Sequence, residues 1–211
     1  MIFYKLRHIK FIIMKNFILI TILILNLQSF AKANDIREFE IEGFSVGSSL
    51  LDHFSIKKIK SSVVDWYDDL EKNRYVAFAF DSPNFETYDF VDIWTKYNDE
   101  KYLIDTIAGV IYFGDNKPIK NIENCYEEQK IIANELLQIF ESATKVGPST
   151  LEHSSDPTGK SSYTDIYLKL NNGYEVVIAC YDWSEEALEK MNKADHIYVS
   201  IRSLELEKWL N

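Results

Sequence analysis

Apolar and polar positions along this chain change period several times, and each change marks an element. Phe39 to Glu42 alternates apolar with charged, as a short strand does, and Gly43 to Gly47 turns the chain into Ser48–Phe54, where Leu50, Leu51 and Phe54 recur at helical spacing. A second helix is expected over Ser61–Lys72. There Val63, Val64, Trp66, Tyr67 and Leu70 repeat at three and four, while Asp65, Asp68, Asp69 and Glu71 take the other side. From Tyr75 to Phe113 the period drops to two, which predicts three antiparallel strands with a hairpin tip at Asn98-Asp99-Glu100. Asp115 to Pro118 ends that run, and Asn121 is placed to cap a long helix reaching about Thr144, with Cys125, Ile132, Leu136, Ile139 and Ala143 on one stripe. Lys145–Ser162, rich in glycine, proline and serine, reads as the longest irregular segment and a natural place for binding groups. Tyr163–Leu170 and Tyr174–Asp182 then flank Asn171-Asn172-Gly173, a hairpin signal. Ser184–Met191 reads as a short acidic helix, His196–Arg202 as a third strand and Ser203–Leu210 as a terminal helix.

Strands joined by hairpins, without a β-α-β-α rhythm, place the chain in the α+β class. The expected architecture is an antiparallel sheet in two three-stranded segments packed against the long helix, with short helices near the N-terminus. Each half offers helix and then three strands, although no sequence repeat accompanies the pattern. Residues 34–211 are read as one domain, large enough to bury a core without a cofactor.

The first 33 residues have a different character. Met14-Lys15-Asn16 precedes the apolar run Phe17–Leu27 and then Ala31-Lys32-Ala33, which together have the form of a signal peptide with its cleavage site; Met14 can serve as the true start. The competing expectation is a retained membrane anchor, against which stand Lys15 inside the apolar stretch and the small residues after it. The expected location is therefore outside the cytoplasm, periplasmic or secreted. Residues 1–33 hold five basic side chains and no acid, so residues 34–211 retain 18 basic against 33 acidic groups, formally −15. That charge disfavours nucleic acid and anionic lipid and favours a basic partner or cations. Cys125 and Cys180 are expected to pair in an oxidising compartment.

Several short matches to catalytic motifs fall in the wrong setting. Gly43-Phe44-Ser45-Val46-Gly47 fits G-x-S-x-G, but too few residues precede Ser45 to build the strands and oxyanion loop of that fold. Gly47-Ser48-Ser49-Leu50 resembles the G-D-S-L block of small esterases, with Ser48 in place of the aspartate and Lys193 where that family has an aspartate before its histidine; only Ser49 carries over. Asp156 to Ser161 ends like a phosphate loop but has Ser154 in place of the first glycine. Glu152, His153 and Asp156 could offer ligands from one loop, without the paired-histidine or paired-cysteine spacing of a metal centre, so neither a metal nor a cofactor is expected.

A softer candidate is a face of the second sheet segment. If Ile166, Leu168, Ile197, Val199 and Ile201 face the helix, then Tyr163, Tyr167, His196, Tyr198 and Arg202 face away, and such a tyrosine-rich polar face suits a peptide, a glycan or a protein.

The stretch Phe39 to Phe54, with its Gly-x-Ser turn, resembles the opening of small uncharacterised exported bacterial proteins and, more distantly, β-lactamase-inhibitor-like and outer-membrane-assembly small domains. The likeness extends over about Ile36 to Phe113, implies an envelope interaction module, and carries over no functional residue. The expected function is thus an exported, non-enzymatic binding protein of the cell envelope, whose partner is a protein, peptide or glycan and not nucleic acid, touching membrane only through an uncleaved N-terminal segment. The alternative is a small secreted serine hydrolase using Ser49.

Overall fold

The computed structural model describes residues 36–64 and 74–210. The chain divides into two units between Ala33 and Asn34. The expected signal peptide with its expected cleavage site, and most of the helix expected over Ser61–Lys72, lie outside the described residues. No described helix is long and apolar enough to cross a membrane.

Among the described residues ten strands form two sheets. Glu40–Ile41 (β1) and Phe44–Ser45 (β2) make a small hairpin. The others are Val63–Val64 (β3), Tyr75–Phe80 (β4), Phe90–Lys96 (β5), Ile104–Tyr112 (β6), Thr144–Glu152 (β7), Ser162–Lys169 (β8), Tyr174–Asp182 (β9) and His196–Ser203 (β10). They form one antiparallel eight-stranded sheet in the order β3-β4-β5-β6-β10-β9-β8-β7. This corrects the expected fold class. Instead of two three-stranded segments against a shared long helix, two four-stranded meanders are fused edge to edge where β6 pairs β10, from Tyr112 opposite His196 to Ile107 opposite Ile201. The helix Ile122–Ile139 spans 18 residues and packs chiefly on β9, with β8 and β10 beside it.

Three local expectations also change. The helical reading of Val63 and Val64 fails because Ser55 starts a helix earlier, Ile56–Ser61 (α1), and Ser62 stops it, leaving the two valines to pair with Phe78 and Ala77. Ile122–Ile139 (α2) begins as expected, with Asn121 accepting a bond from the Asn124 amide at 3.0 Å, but buried Phe140 ends it. The chain from Thr144 is then a strand rather than a loop, and only residues 153–161 of the expected irregular segment remain irregular. Near the N-terminus, Leu50–Asp52 is a single 3-10 turn. Glu185–Lys190 (α3) and Leu204–Leu210 (α4) follow the sequence closely.

The alternation of side chains gives the large sheet two unlike faces. One is apolar. Beneath α2 it presents Ile166, Leu168, Val176, Ile178, Ile197, Val199 and Ile201, all at most 2% exposed. Gln129, buried in the α2 stripe, donates from Nε2 to the carbonyls of Thr164 and Ile178, both at 2.7 Å. Cys125 and Cys180 form a fully buried disulfide that ties α2 to β9. Under the N-terminal half, the same face carries Phe78 and Phe80, with Phe44 and Phe54 stacked on Phe80. The carboxylate of Glu42 gathers the segment before β5 by accepting from the amides of Glu86, Thr87 and Tyr88 at 2.7–2.9 Å. Gly109 must be glycine, since a Cβ there would meet the Tyr88 ring at 2.3 Å.

Among the described residues the sheet ends at β3, two residues long, on one side and at β7, every residue of which is exposed, on the other. A register shift breaks β7 between Val146 and Ser149, where Gly147 takes φ +94° against the Asp165 carbonyl.

The disulfide encloses 55 residues of chain, so removing it frees that loop in the unfolded state, and the chain-entropy model sets the loss at about 4 kcal/mol. The double variant Cys125→Ala/Cys180→Ala is expected to unfold at correspondingly lower urea. A midpoint unchanged from the parent would show that the Gln129 bonds and apolar packing hold α2 unaided.

Candidate functional site

The other face of the large sheet is chemically different. Its rows run across the strands, and the pairing register fixes them: Tyr163, Tyr181, His196 and Tyr112 in one row; Asp165, Ala179, Tyr198, Val110 and Phe90 in the next; then Tyr167, Val177, Ser200, Ala108, Asp92 and Ala79. Beyond these, α4 packs Leu206 and Trp209 against Tyr75, Ala77 and Trp94. It thereby closes one end of the N-terminal half of this face.

The first row is the centre of an aromatic strip. Tyr181 stacks on His196 (centroids 4.4 Å apart, planes 11° apart) and on Tyr163 (5.6 Å), and meets Tyr198 edge-on at 6.3 Å. Tyr112 lies edge-on to His196 and continues to Phe90. At the other end His153 packs on Trp183 at 4.3 Å and reaches Tyr163 and Tyr181, while Lys193 stands 5.1 Å over the Trp183 ring. Burial pushes the His196 imidazole down to about 4, against the effect of its Nδ1–H bond to the Ala194 carbonyl at 2.7 Å. Burial and then Lys193 lower His153 as well. Near pH 7 the strip is therefore uncharged and presents tyrosine hydroxyls among flat rings, an arrangement suited to hydrogen-bonded aromatic contact.

Tyr167 and Arg202 stand apart from the strip. The Arg202 guanidinium lies 5.4 Å over the Tyr167 ring, binds Glu175 at 2.8 Å and Glu207 at 2.9 Å, and so fixes α4 to the sheet. Of the loop residues singled out from sequence, only His153 joins the strip. Glu152 is exposed at the end of β7. Asp156 organises its own loop: it accepts from the amide and hydroxyl of Thr158, from the amide and hydroxyl of Ser161 and from the Ser184 hydroxyl, at 2.5–3.0 Å. The Ser161 hydroxyl, with the other donors, holds this carboxyl well below the usual carboxylate range. The Gly-Lys-Ser end of the phosphate-loop match is thus folded onto Asp156. Ser49 caps the 3-10 turn, accepting from the Leu51 amide and donating to the Lys101 carbonyl at 2.6 Å, with Asp52 completing the box. The glycines of the G-x-S-x-G match shape the β1–β2 hairpin and its exit, both at positive φ. Among the described residues no three metal-ligating side chains gather.

Sequence reasoning missed Tyr112, Tyr181, Trp183 and Asp92. Asp92 is 2% exposed; the Trp94 indole donates to its Oδ2 at 3.0 Å and its Oδ1 has no partner. Burial pushes this carboxyl up to about 8, the indole bond opposing. No known family model matches the chain, and no curated protein and no solved structure is significantly similar to it.

Half-buried His196 and buried Asp92 predict opposite pH dependences. His196 binds its proton less readily when folded than at its ordinary value near 6.5, so its stabilising contribution is complete above pH 6.5 and is lost as the pH falls toward 4. Asp92 binds its proton more readily when folded, so stability is lost as the pH rises from about 4 to 8. Asp92→Asn is expected to raise Tm at pH 9 relative to the parent more than at pH 5, and NMR should show the His196 ring unprotonated down to pH 5.5. A His196 titration near pH 6.5 would show that solvent reaches the stack.

Proposed function

We propose that this chain is an exported, non-enzymatic binding protein that docks a basic protein of the cell envelope on the face of its sheet opposite α2. The observation that carries the reading is the aromatic strip running from Trp183 through Tyr181 and His196 to Tyr112 and Phe90, on the face of the sheet opposite α2. Tyrosine, tryptophan and histidine rings with polar edges are the groups enriched at protein interfaces, and few side chains of this kind account for most of the affinity. Charge gives the partner its sign: residues 34–211 carry formally −15, which draws a basic surface and repels nucleic acid and acidic lipid. The N-terminal pattern of Lys15, apolar run and Ala31-Lys32-Ala33 gives it the compartment.

Photo-crosslinking in intact cells tests this directly. A photoreactive residue replacing Tyr163 or Tyr198 on the strip face is expected to trap one basic protein, and the same residue at exposed Ile131 on α2 is expected to trap nothing specific. Tyr163→Ala should then weaken that complex about thirtyfold, the effect of losing one interfacial tyrosine worth about 2 kcal/mol. Equal trapping from Ile131, or none from either strip position, would overturn the assignment of this face.

A further inference from the structure

Asn172 is the one asparagine of the sequence followed by glycine, and the fold sets the pair at the exposed tip of the β8–β9 hairpin. The Leu170 amide closes the tip on the Tyr174 carbonyl at 3.0 Å, and Gly173 completes the turn at φ +86°, a left-handed position that glycine takes without strain. A Cβ at Gly173 would meet no atom within 4 Å, so the space around this peptide is open. Two hydrogen bonds set the chemistry of the tip. The Tyr174 backbone N–H donates to Asn172 Oδ1 at 3.2 Å, and the Gly173 carbonyl accepts from the amide of Leu204, the first residue of α4, at 3.0 Å. The first bond orients the side-chain amide and polarises its carbonyl. When the Gly173 nitrogen attacks Asn172 Cγ, Oδ1 takes up the negative charge, and a donor already aimed at that oxygen stabilises it. The attacking nitrogen and Cγ belong to consecutive residues, so the step is intramolecular.

We propose that Asn172 is a self-modification site that converts without an enzyme to isoaspartate and aspartate, and that the isoaspartate form frees the first amide of α4 from the hairpin. The Gly173 nitrogen gives its proton to solvent base and bonds to Cγ. The Cγ–Nδ2 bond then breaks, Nδ2 departs as ammonia, and a five-membered succinimide remains. Water opens the ring at either carbonyl. Breaking the bond from the ring nitrogen to Cγ gives aspartate; breaking the bond from that nitrogen to the main-chain carbonyl carbon of residue 172 gives isoaspartate, whose main chain runs through Cβ and Cγ. Either product carries a carboxylate in place of the amide, and no electrons are exchanged.

Isoaspartate inserts a methylene into the main chain just before Gly173. The tip, closed by Leu170 and Tyr174, has no slack to absorb it, so the Gly173 carbonyl moves off the Leu204 amide. The rest of α4 stays in place, because Ser203 Oγ accepts from the Leu206 amide at 3.1 Å and Glu205 pairs with Arg74 and Lys96. The tip lies at the opposite end of β8 and β9 from Tyr163 and Tyr181, so the conversion proceeds whether or not the aromatic strip is occupied.

The test ages protein purified from cells that express the full chain, at pH 7 and at pH 9, and maps its asparagines by mass spectrometry with electron-transfer fragmentation, which tells isoaspartate from aspartate. Asn172 is expected to convert ahead of Asn98 and Asn116, which are also exposed in turns, and faster at pH 9 than at pH 7. It is also expected to convert at least as fast as in the free peptide Leu-Asn-Asn-Gly-Tyr-Glu, where nothing holds the tyrosine amide on Oδ1. Slower conversion in the folded protein than in the peptide, or conversion of Asn98 or Asn116 first, would overturn the site. Amide hydrogen exchange reads the second half of the proposal. Exchange at Leu204 is expected to be about fivefold faster in the isoaspartate form, the effect of losing one backbone hydrogen bond. It is expected to be unchanged in Asn172→Asp, which carries the new charge on an ordinary main chain. Unchanged exchange in the isoaspartate form, or equal acceleration in Asn172→Asp, would overturn the release of α4 by the lengthened chain.

Discussion

The pairing of β6 with β10 is the join on which the molecule depends. Each half of the chain alone is a four-stranded meander with an open inner edge, and the two edges close only on each other. Ile107 and Ile201, opposite one another across this seam, are separated by most of the C-terminal half of the sequence, so the seam forms only when the last strand is in place. The candidate site straddles it: the aromatic strip crosses from Tyr181 and His196 to Tyr112, and it does not exist in either half taken separately.

The two faces of the sheet divide the work of folding and recognition. One face buries isoleucine, leucine, valine and phenylalanine beneath α2 and the N-terminal turns, with the disulfide and the Gln129 side chain holding α2 to β8 and β9. That face accounts for the stability expected of a chain of this size. The other face holds polar groups in poor solvation: His196 kept neutral, Asp92 kept protonated, and a short network from Glu175 through Arg202 to Glu207 that anchors α4. A sheet that stabilised itself equally on both faces would have no use for an unsatisfied acid there.

What was legible in the sequence was local. The hairpin at Asn171-Asn172-Gly173, the cap Asn121, and the cysteine pair were all visible because turn residues, cap residues and paired thiols act over a few positions or by scarcity. Alternation also placed Tyr163, Tyr167, His196, Tyr198 and Arg202 on the face away from α2. Strand β7 was not legible, because Gly147-Pro148-Ser149 has the composition of a loop and a wholly exposed strand leaves no alternation to read. The fused sheet was not legible either, since register between distant strands leaves no local mark. For the same reason Tyr112, Tyr181 and Trp183 could not be joined to His196, and Asp92, an acid in an alternating strand, reads as solvent-facing until its neighbours prove to be two alanines.

The ends of the sheet determine how such molecules meet one another. An open strand edge is a template for another strand, and a long, flat one invites indefinite growth. Here one terminus offers two residues, and the other is kinked at Gly147-Pro148, carries Lys145 and lacks an amide hydrogen at Pro148. Both features work against a ladder continuing into a neighbouring copy, so growth of the sheet by strand addition is disfavoured at either described end.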